Sequence, residues 1–151
     1  MRYLGIDPGS ACGWAVLDSD GSRVASGTWK LDNRRGDGAG MRYVRLERLV
    51  RELLEAYDGP LAYELVAAHK GTQAAHIYGG IVATITRVCE DVGRAYAGVG
   101  VGTIKKVATG KGNANKEAMM LAAQKRWPDY AGDDNEADSL WVAECLRTGE
   151  V

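Results

Sequence analysis

Asp7 closes an apolar run, YLGID, and is followed at once by Pro8-Gly9. An ionised carboxylate inside a buried strand is costly unless something pairs with it. Pro-Gly ends the strand, so Asp7 is expected at its exit. Glu64 occupies a similar place within LAYELV, and a third group of acids, GDDNEAD, crowds the start of the last helical stretch. At about 100° per residue, Asp134 and Asn135 share the face of Asp138, while Glu136 points away. Each acid has an ordinary explanation as a turn residue, a solvent-facing strand end, a helix cap or a dipole partner. Asp138 has fewer, because SLWVA follows it and its side of the helix faces the protein. Two strand acids and a helix-borne pair converge if the strands are neighbours and the helix packs across their ends. Such a set of oxygen donors repels itself unless hard cations bind, and Mg²⁺ takes oxygen ligands. Two such ions about 3.5–4 Å apart activate a water and stabilise the leaving oxygen in phosphodiester cleavage.

The elements that must position these acids follow from periodicity and turn chemistry. Tyr3 to Ile6, Gly13 to Leu17 and Arg23 to Trp29 are expected strands forming an antiparallel meander, with DSDG as a turn. The polar, glycine-rich DNRRGDGAG (Asp32 to Gly40) is expected to be a mobile loop. Met41 to Tyr57 carries Leu46, Leu49, Val50, Leu53 and Leu54 at helical spacing, and Asp58-Gly59-Pro60 stops it. Leu61 to Val66 is a fourth strand. A helix from Thr72 or Gln73 to about Asp91 follows, then a fifth strand from Ala95 to Val101. Thr103 to Ala108, Lys116 to Trp127 and Glu136 to Arg147 are the remaining helices. The order β-β-β-α-β-α-β-α-α-α predicts an α/β fold with helices on both faces of a mixed sheet.

Composition narrows the class. The chain has 151 residues, 46% hydrophobic and 26% charged, which suits one domain with a buried core. No apolar run is long enough to span a membrane. The chain enters a strand directly, so no secretory signal is expected. Cys12, Cys89 and Cys145 are odd in number and far apart, which argues against a disulfide framework and suits a reducing cytosol. All three are expected in the core. The net charge of −1 hides a segregation. Lys30 to Arg51 holds seven Lys/Arg against three acids, and Gly102 to Arg126 six against one. Asp129 to the end holds seven acids against one Arg. A protein that grips phosphates and gathers carboxylates around cations has this distribution, as does an ordinary solvated surface.

The N-terminal GIDPG turn, the mid-chain strand acid and the late Ala-Asp near a helix start resemble the RuvC-type Holliday junction resolvases of the RNase H-like superfamily. TIKKVATGKGNANKEAM resembles that family's basic segment, through Ile104-Lys105, Gly110, Gly112, Ala114 and Lys116. The resemblance runs from Met1 to about Cys145. It implies a five-stranded mixed sheet whose first three strands are antiparallel, within one nuclease domain spanning residues 1–151. It also implies a Mg²⁺- or Mn²⁺-dependent endodeoxyribonuclease with two ions per active site, working as a homodimer that nicks a four-way DNA junction symmetrically. The family's acids fall on Asp7, Glu64 and Asp138. Three residues before the last acid the family carries Asp or His, and here that residue is Asn135. Either Asn135 or Asp134 completes the set, and Asp134 is preferred because a charged ligand holds Mg²⁺ better. Lys105 and Lys116 match the family's phosphate-contacting lysines, with Lys116 near the scissile group. Lys106, Lys111, Lys70 and His69 are further expected DNA contacts.

Some members place an aromatic residue after the second acid, where it wedges into the junction. Here Ala67 and Ala68 are too small to stack, and His69 is a substitute unless merely exposed. His76 is expected to be packed or partly buried, and Gly79-Gly80 to lie on a dimer surface. The compact chain suggests a phage or mobile-element version acting in the cytoplasm of its bacterial cell. Two other readings compete: an RNase H-like nuclease for other branched or single-stranded nucleic acid, and a non-catalytic DNA-binding module. The DPGSACG turn is also similar to the phosphate-binding turn of actin-like kinases, but those need two closing domains and a longer chain.

Overall fold

A computed structural model of the chain describes residues 1–151. Five strands, β1 (Tyr3–Asp7), β2 (Ala11–Leu17), β3 (Arg23–Lys30), β4 (Leu61–Leu65) and β5 (Tyr96–Gly100), form one sheet in the order β3-β2-β1-β4-β5. β2 is antiparallel to β1 and β3, whereas β4 is parallel to β1 and β5. Strands β1, β3, β4 and β5 therefore run in one direction, and their C-terminal ends share one edge of the molecule. The expected antiparallel meander and mixed sheet are both present.

The period-two alternation of a strand sorts its side chains between two helical layers. Leu4, Ile6, Val16 and Leu61 enter a core with Leu46, Val50, Ile81 and Ile85. These come from α1 (Met41–Ala56) and α2 (Thr72–Val92). On the other face Ala15, Leu17, Ala62 and Val99 meet Ala137, Leu140, Trp141 and Ala143 of α5 (Asp134–Thr148). The short helices α3 (Val101–Thr109) and α4 (Lys116–Arg126) complete that layer. Asp7 has the parity of Gly5, and Glu64 that of Ala62, so both acids belong to the face that α5 covers.

Helix α5 crosses β1 and β2 at van der Waals distance, because two glycines leave room for it. A Cβ on Gly5 would stand 2.3 Å from the Ser139 carbonyl oxygen, and one on Gly13 1.9 Å from that of Asn135. The start of α5 is also tied to β3. The Thr28 hydroxyl donates to Asp133 at 2.8 Å, and the Ser26 hydroxyl donates to the buried Glu136 carboxylate at 2.7 Å. Asp133 caps the helix by accepting from the Glu136 N–H at 2.9 Å.

Several details depart from the sequence expectations. Helix α5 begins at Asp134 rather than Glu136, because Asp133 and not a later acid is its cap. Helix α3 starts at Val101, directly after β5 with no intervening loop. The segment expected to be mobile after β3 is anchored instead. The Asp37 carboxylate accepts two bonds from Arg45, at 2.7 and 3.0 Å, and one from the Arg34 N–H at 2.6 Å. His76 is exposed rather than packed. His69, by contrast, is half-buried against the Tyr78 ring, their centroids 4.7 Å apart. Gly80 serves packing within the chain, since a Cβ there would lie 2.6 Å from the Tyr43 ring. All three cysteines are buried. No helix is long and apolar enough to cross a membrane.

Candidate metal centre

Three carboxylates meet where β1, β4 and α5 come together. Asp7, Glu64 and Asp138 each present an oxygen, and these atoms all lie within 4.8 Å of one another. The positions follow from local structure. Asp7 and Glu64 stand at the same-direction ends of adjacent parallel strands. Asp138 comes one turn into α5, after Gly13 and the β3 hydrogen bonds have fixed where that helix begins.

Glu64 is held by its backbone. The Tyr78 hydroxyl, on α2, donates to the Glu64 carbonyl at 2.8 Å and accepts from the Val66 N–H at 3.0 Å. This closes the chain where β4 ends. The sequence reading missed Tyr78, because an aromatic residue in an amphipathic helix is ordinarily core. The available signal was its polar tip, which needs a hydrogen-bond partner when the ring packs in a helix fourteen residues after the strand acid.

Electrostatics mark the trio as strained without a counter-charge. Burial, followed by the neighbouring Glu64, holds the Asp7 carboxyl well above its ordinary value, with smaller contributions from Asp138 and Asp134. Burial also pushes Asp138 up to about 7, with Glu64 and Asp134 adding to the effect and Lys105 and Lys116 opposing it. The adjacent Cys12 thiol is raised to about 12 by burial and by Asp7, which leaves it an inert core residue. Like charges held together in this way are what a hard cation relieves. The donor set is all carboxylate oxygen, which matches Mg²⁺ or Mn²⁺ and not a soft thiophilic metal. The residues fit a divalent-cation site.

The other expected site residues are distributed around this trio. Asp134 lies close enough to raise Asp7 and Asp138 but falls outside the tight cluster. Its carboxylate pairs with Lys116 Nζ at 3.3 Å. Asn135 is half-buried beside the Asp133 cap; against the opposing effect of burial, the Glu136 N–H, the Thr28 hydroxyl and Asn135 hold the Asp133 carboxyl below its ordinary value. Lys105 and Lys116 both act on Asp138. Lys106 lines a shallow hollow with Thr103, Val107 and Glu150, and Lys111 and Lys70 are exposed. His69 joins Pro8, Ser10, Val66 and Tyr78 around a cleft beside the Asp7 turn.

A five-stranded mixed sheet with carboxylates at its parallel strand ends, closed by a carboxylate-bearing helix, defines a metal-dependent nuclease of the RNase H-like class. Comparison with known proteins narrows this further. The chain is 32% identical over 151 residues to the crossover junction endodeoxyribonuclease RuvC of Parvibaculum lavamentivorans, covering 96% of this chain and 85% of that protein. It is 30% identical over 156 residues to the same enzyme of Chlamydia trachomatis, covering 94% and 88%. The chain belongs to the RuvC family of crossover junction endodeoxyribonucleases. No family model matches it. The fold agrees with that of Thermus thermophilus RuvC solved in complex with a Holliday junction substrate. That superposition has a TM-score of 0.85 at 20% identity and covers 99% of this chain and 96% of the other. A second Thermus thermophilus RuvC structure gives a TM-score of 0.83 at 21% identity.

Proposed function

We propose that this chain is an endodeoxyribonuclease that resolves four-way DNA junctions in the cytoplasm. The activity is carried by one domain spanning residues 1–151. The observation that carries the reading is the carboxylate trio, Asp7, Glu64 and Asp138, at the strand ends of a RuvC-family fold. These three would hold divalent cations, Mg²⁺ or Mn²⁺. Asp134 is the neighbouring charge that makes two ions per site reasonable, with Asn135 the weaker alternative. Bound ions of this kind supply an activated water and charge stabilisation for the leaving oxygen.

The protein's own groups do the rest. Lys116 is a mobile point charge on an exposed side chain, and it leaves Asp134 for a phosphate when DNA arrives. Lys105 works beside it on the same flank, with Lys106, Lys111 and Lys70 providing weaker and more distant attraction. Gly110 and Gly112 let the backbone between α3 and α4 approach a phosphate closely. A four-way junction is two-fold symmetric, and a homodimer would present two such centres to opposed strands. Recognition then rests on shape and phosphate geometry more than on base edges.

The test is cleavage of an immobile four-way junction beside matched duplex, single strand and flap, with Mg²⁺ or Mn²⁺, for wild type and Asp7→Asn. Paired symmetric nicks in the junction, lost in Asp7→Asn while binding survives, are the expected result. Equal cutting of every substrate would replace the junction reading with a general nuclease. Absence of metal-dependent cutting would leave a DNA-binding module.

A further inference from the structure

We propose that the segment joining β3 to α1, carrying Lys30, Arg34 and Arg35 and continuing to Arg42, is a second phosphate-binding surface. It would grip the DNA strand on the side of the metal centre opposite α3 and α4. This rests on the reading of the chain as a junction nuclease, and it names the surface that holds the substrate beyond the scissile phosphate.

Topology places the segment. Strand β3 runs in the same direction as β1, β4 and β5, so its C-terminal end, at Lys30, lies on the edge that carries Asp7 and Glu64. Strand order puts β3 at one side of the sheet and β5, which leads into α3, at the other. The metal centre sits between them. The segment is joined to the Asp7 turn directly. The Leu31 N–H donates to the Ser10 carbonyl at 2.7 Å, and Arg42 donates to the Ser10 hydroxyl at 3.2 Å.

Ion pairing divides the cations of this region. Along α1, Arg45 is matched by Asp37, Arg48 by Glu52, and Arg51 by Glu47 and Asp91. Lys30, Arg34 and Arg35 are exposed and have no acid within ion-pair distance, and Arg42 meets only the Ser10 hydroxyl. Of the nearby acids, Asp37 is neutralised by Arg45 and only Asp32 remains open. Free positive charge thus collects at the site end, while the far end of α1 is internally balanced.

The segment is built to hold that charge in place. Asp37 accepts from the Arg34 N–H, and its own N–H donates to the Arg34 carbonyl at 2.9 Å. Gly36 closes the turn at φ 88°. The Arg34 backbone is fixed from both sides, while its side chain and that of Arg35 are left to solvent. A loop needed only as a connection has no use for a bidentate clamp on a glycine-rich tip. Neighbouring strands are about 4.8 Å apart, so four gaps separate β3 from β5 by roughly 19 Å. At about 3.4 Å of helix axis per phosphate on one strand, the two basic flanks match phosphates roughly five or six nucleotides apart.

The experiment measures junction affinity in metal-free buffer between about 50 and 200 mM salt, and single-turnover cleavage with Mg²⁺ at saturating protein. It compares wild type, Arg34→Gln/Arg35→Gln, and a control that loses the same charge from ion-paired positions on α1 and α2, Arg48→Gln/Arg87→Gln. The loop variant is expected to bind about ten-fold more weakly at the higher salt, with the log–log salt slope reduced by about two. Its saturating cleavage rate should match wild type, and the control should bind as wild type does. Wild-type affinity and slope in the loop variant would overturn the proposal, and so would an equal loss in the control. A wild-type protein that binds no junction would defeat the parent reading and this one together, an outcome distinct from the other two.

Discussion

Lys116 Nζ stands 3.3 Å from the Asp134 carboxylate, joining the first residue of α4 to the first residue of α5 beside the carboxylate trio. In the DNA-free protein the lysine partly neutralises the acid that the trio excludes. The site acids are therefore not equivalent. Asp7→Asn, Glu64→Gln and Asp138→Asn each remove a member of the tight cluster and should lower single-turnover cleavage by about a thousand-fold or more, roughly 4 kcal/mol of transition-state stabilisation. Asp134→Asn should cost only about 10- to 100-fold, the scale of an outer-shell partner. A loss at Asp134 as large as that at Asp138 would contradict the ranking and make Asp134 a full ligand.

Stability of the metal-free protein should depend on pH through the same cluster. The Asp138 carboxyl, ordinarily near 3.8, is raised to about 7 by burial and by Glu64 and Asp134. Asp7 is raised as well, by burial first and Glu64 second. Between about pH 4 and 7 the folded protein thus holds more protons than the unfolded chain, so stability falls as pH rises through that window. The carboxyls shifted the other way, Asp37 to about 2 and Asp133 below its ordinary value, lose their contributions only at lower pH. The melting temperature without metal should be several degrees higher at pH 5.5 than at pH 8. Added Mg²⁺ should reverse the order, because it binds the ionised form. A flat or rising metal-free profile would mean that the carboxylates are already compensated.

Much of this site is legible in the sequence because its logic is local. Acids in YLGID and LAYELV break an apolar period and mark Asp7 and Glu64 at strand exits, while their shared face follows from the register of β1 against β4. Asp138 is legible from helix spacing. What stayed hidden depends on side-chain pairings between elements. The acid run GDDNEAD does not reveal that Asp133 is the cap, because the decision is made by Thr28 on β3, 105 residues away. The glycines of DNRRGDGAG suggest mobility, and only the fold brings Arg45 onto Asp37. His69 is half-buried because Tyr78, held by the backbone at Glu64, lies over it, a pairing that its polar loop does not announce.

Tyr78 provides the third prediction. Its hydroxyl bridges the Glu64 carbonyl and the Val66 N–H, so Tyr78→Phe leaves both without that partner. The stability cost should be about 1 kcal/mol. The larger effect should fall on the metal site, with Mn²⁺ affinity measured by calorimetry about ten-fold weaker. Cleavage should recover at high metal concentration, which a purely structural defect would not allow. Unchanged Mn²⁺ affinity would show that Glu64 is positioned without the tyrosine.

The last prediction concerns the contact that sets the height of α5 over the sheet. A Cβ on Gly13 would stand 1.9 Å from the Asn135 carbonyl oxygen and 2.4 Å from its carbonyl carbon, both backbone atoms that cannot rotate aside. Gly13→Ala must therefore lift the first turn of α5, stretching the Thr28–Asp133 and Ser26–Glu136 hydrogen bonds. Overpacking of this kind costs about 1–3 kcal/mol, or roughly 3–10 °C in melting temperature for a chain of this size. Because Asp138 rides on the same helix, the displacement should also shrink the thermal stabilisation given by saturating Mg²⁺. Gly79→Ala is the control, since a Cβ at that helical position meets nothing within 4 Å. It should be neutral or mildly stabilising, as alanine is in a helix. If Gly13→Ala melted and bound Mg²⁺ as wild type does, the close approach of α5 to β2 would not be what holds Asp138 against Asp7 and Glu64.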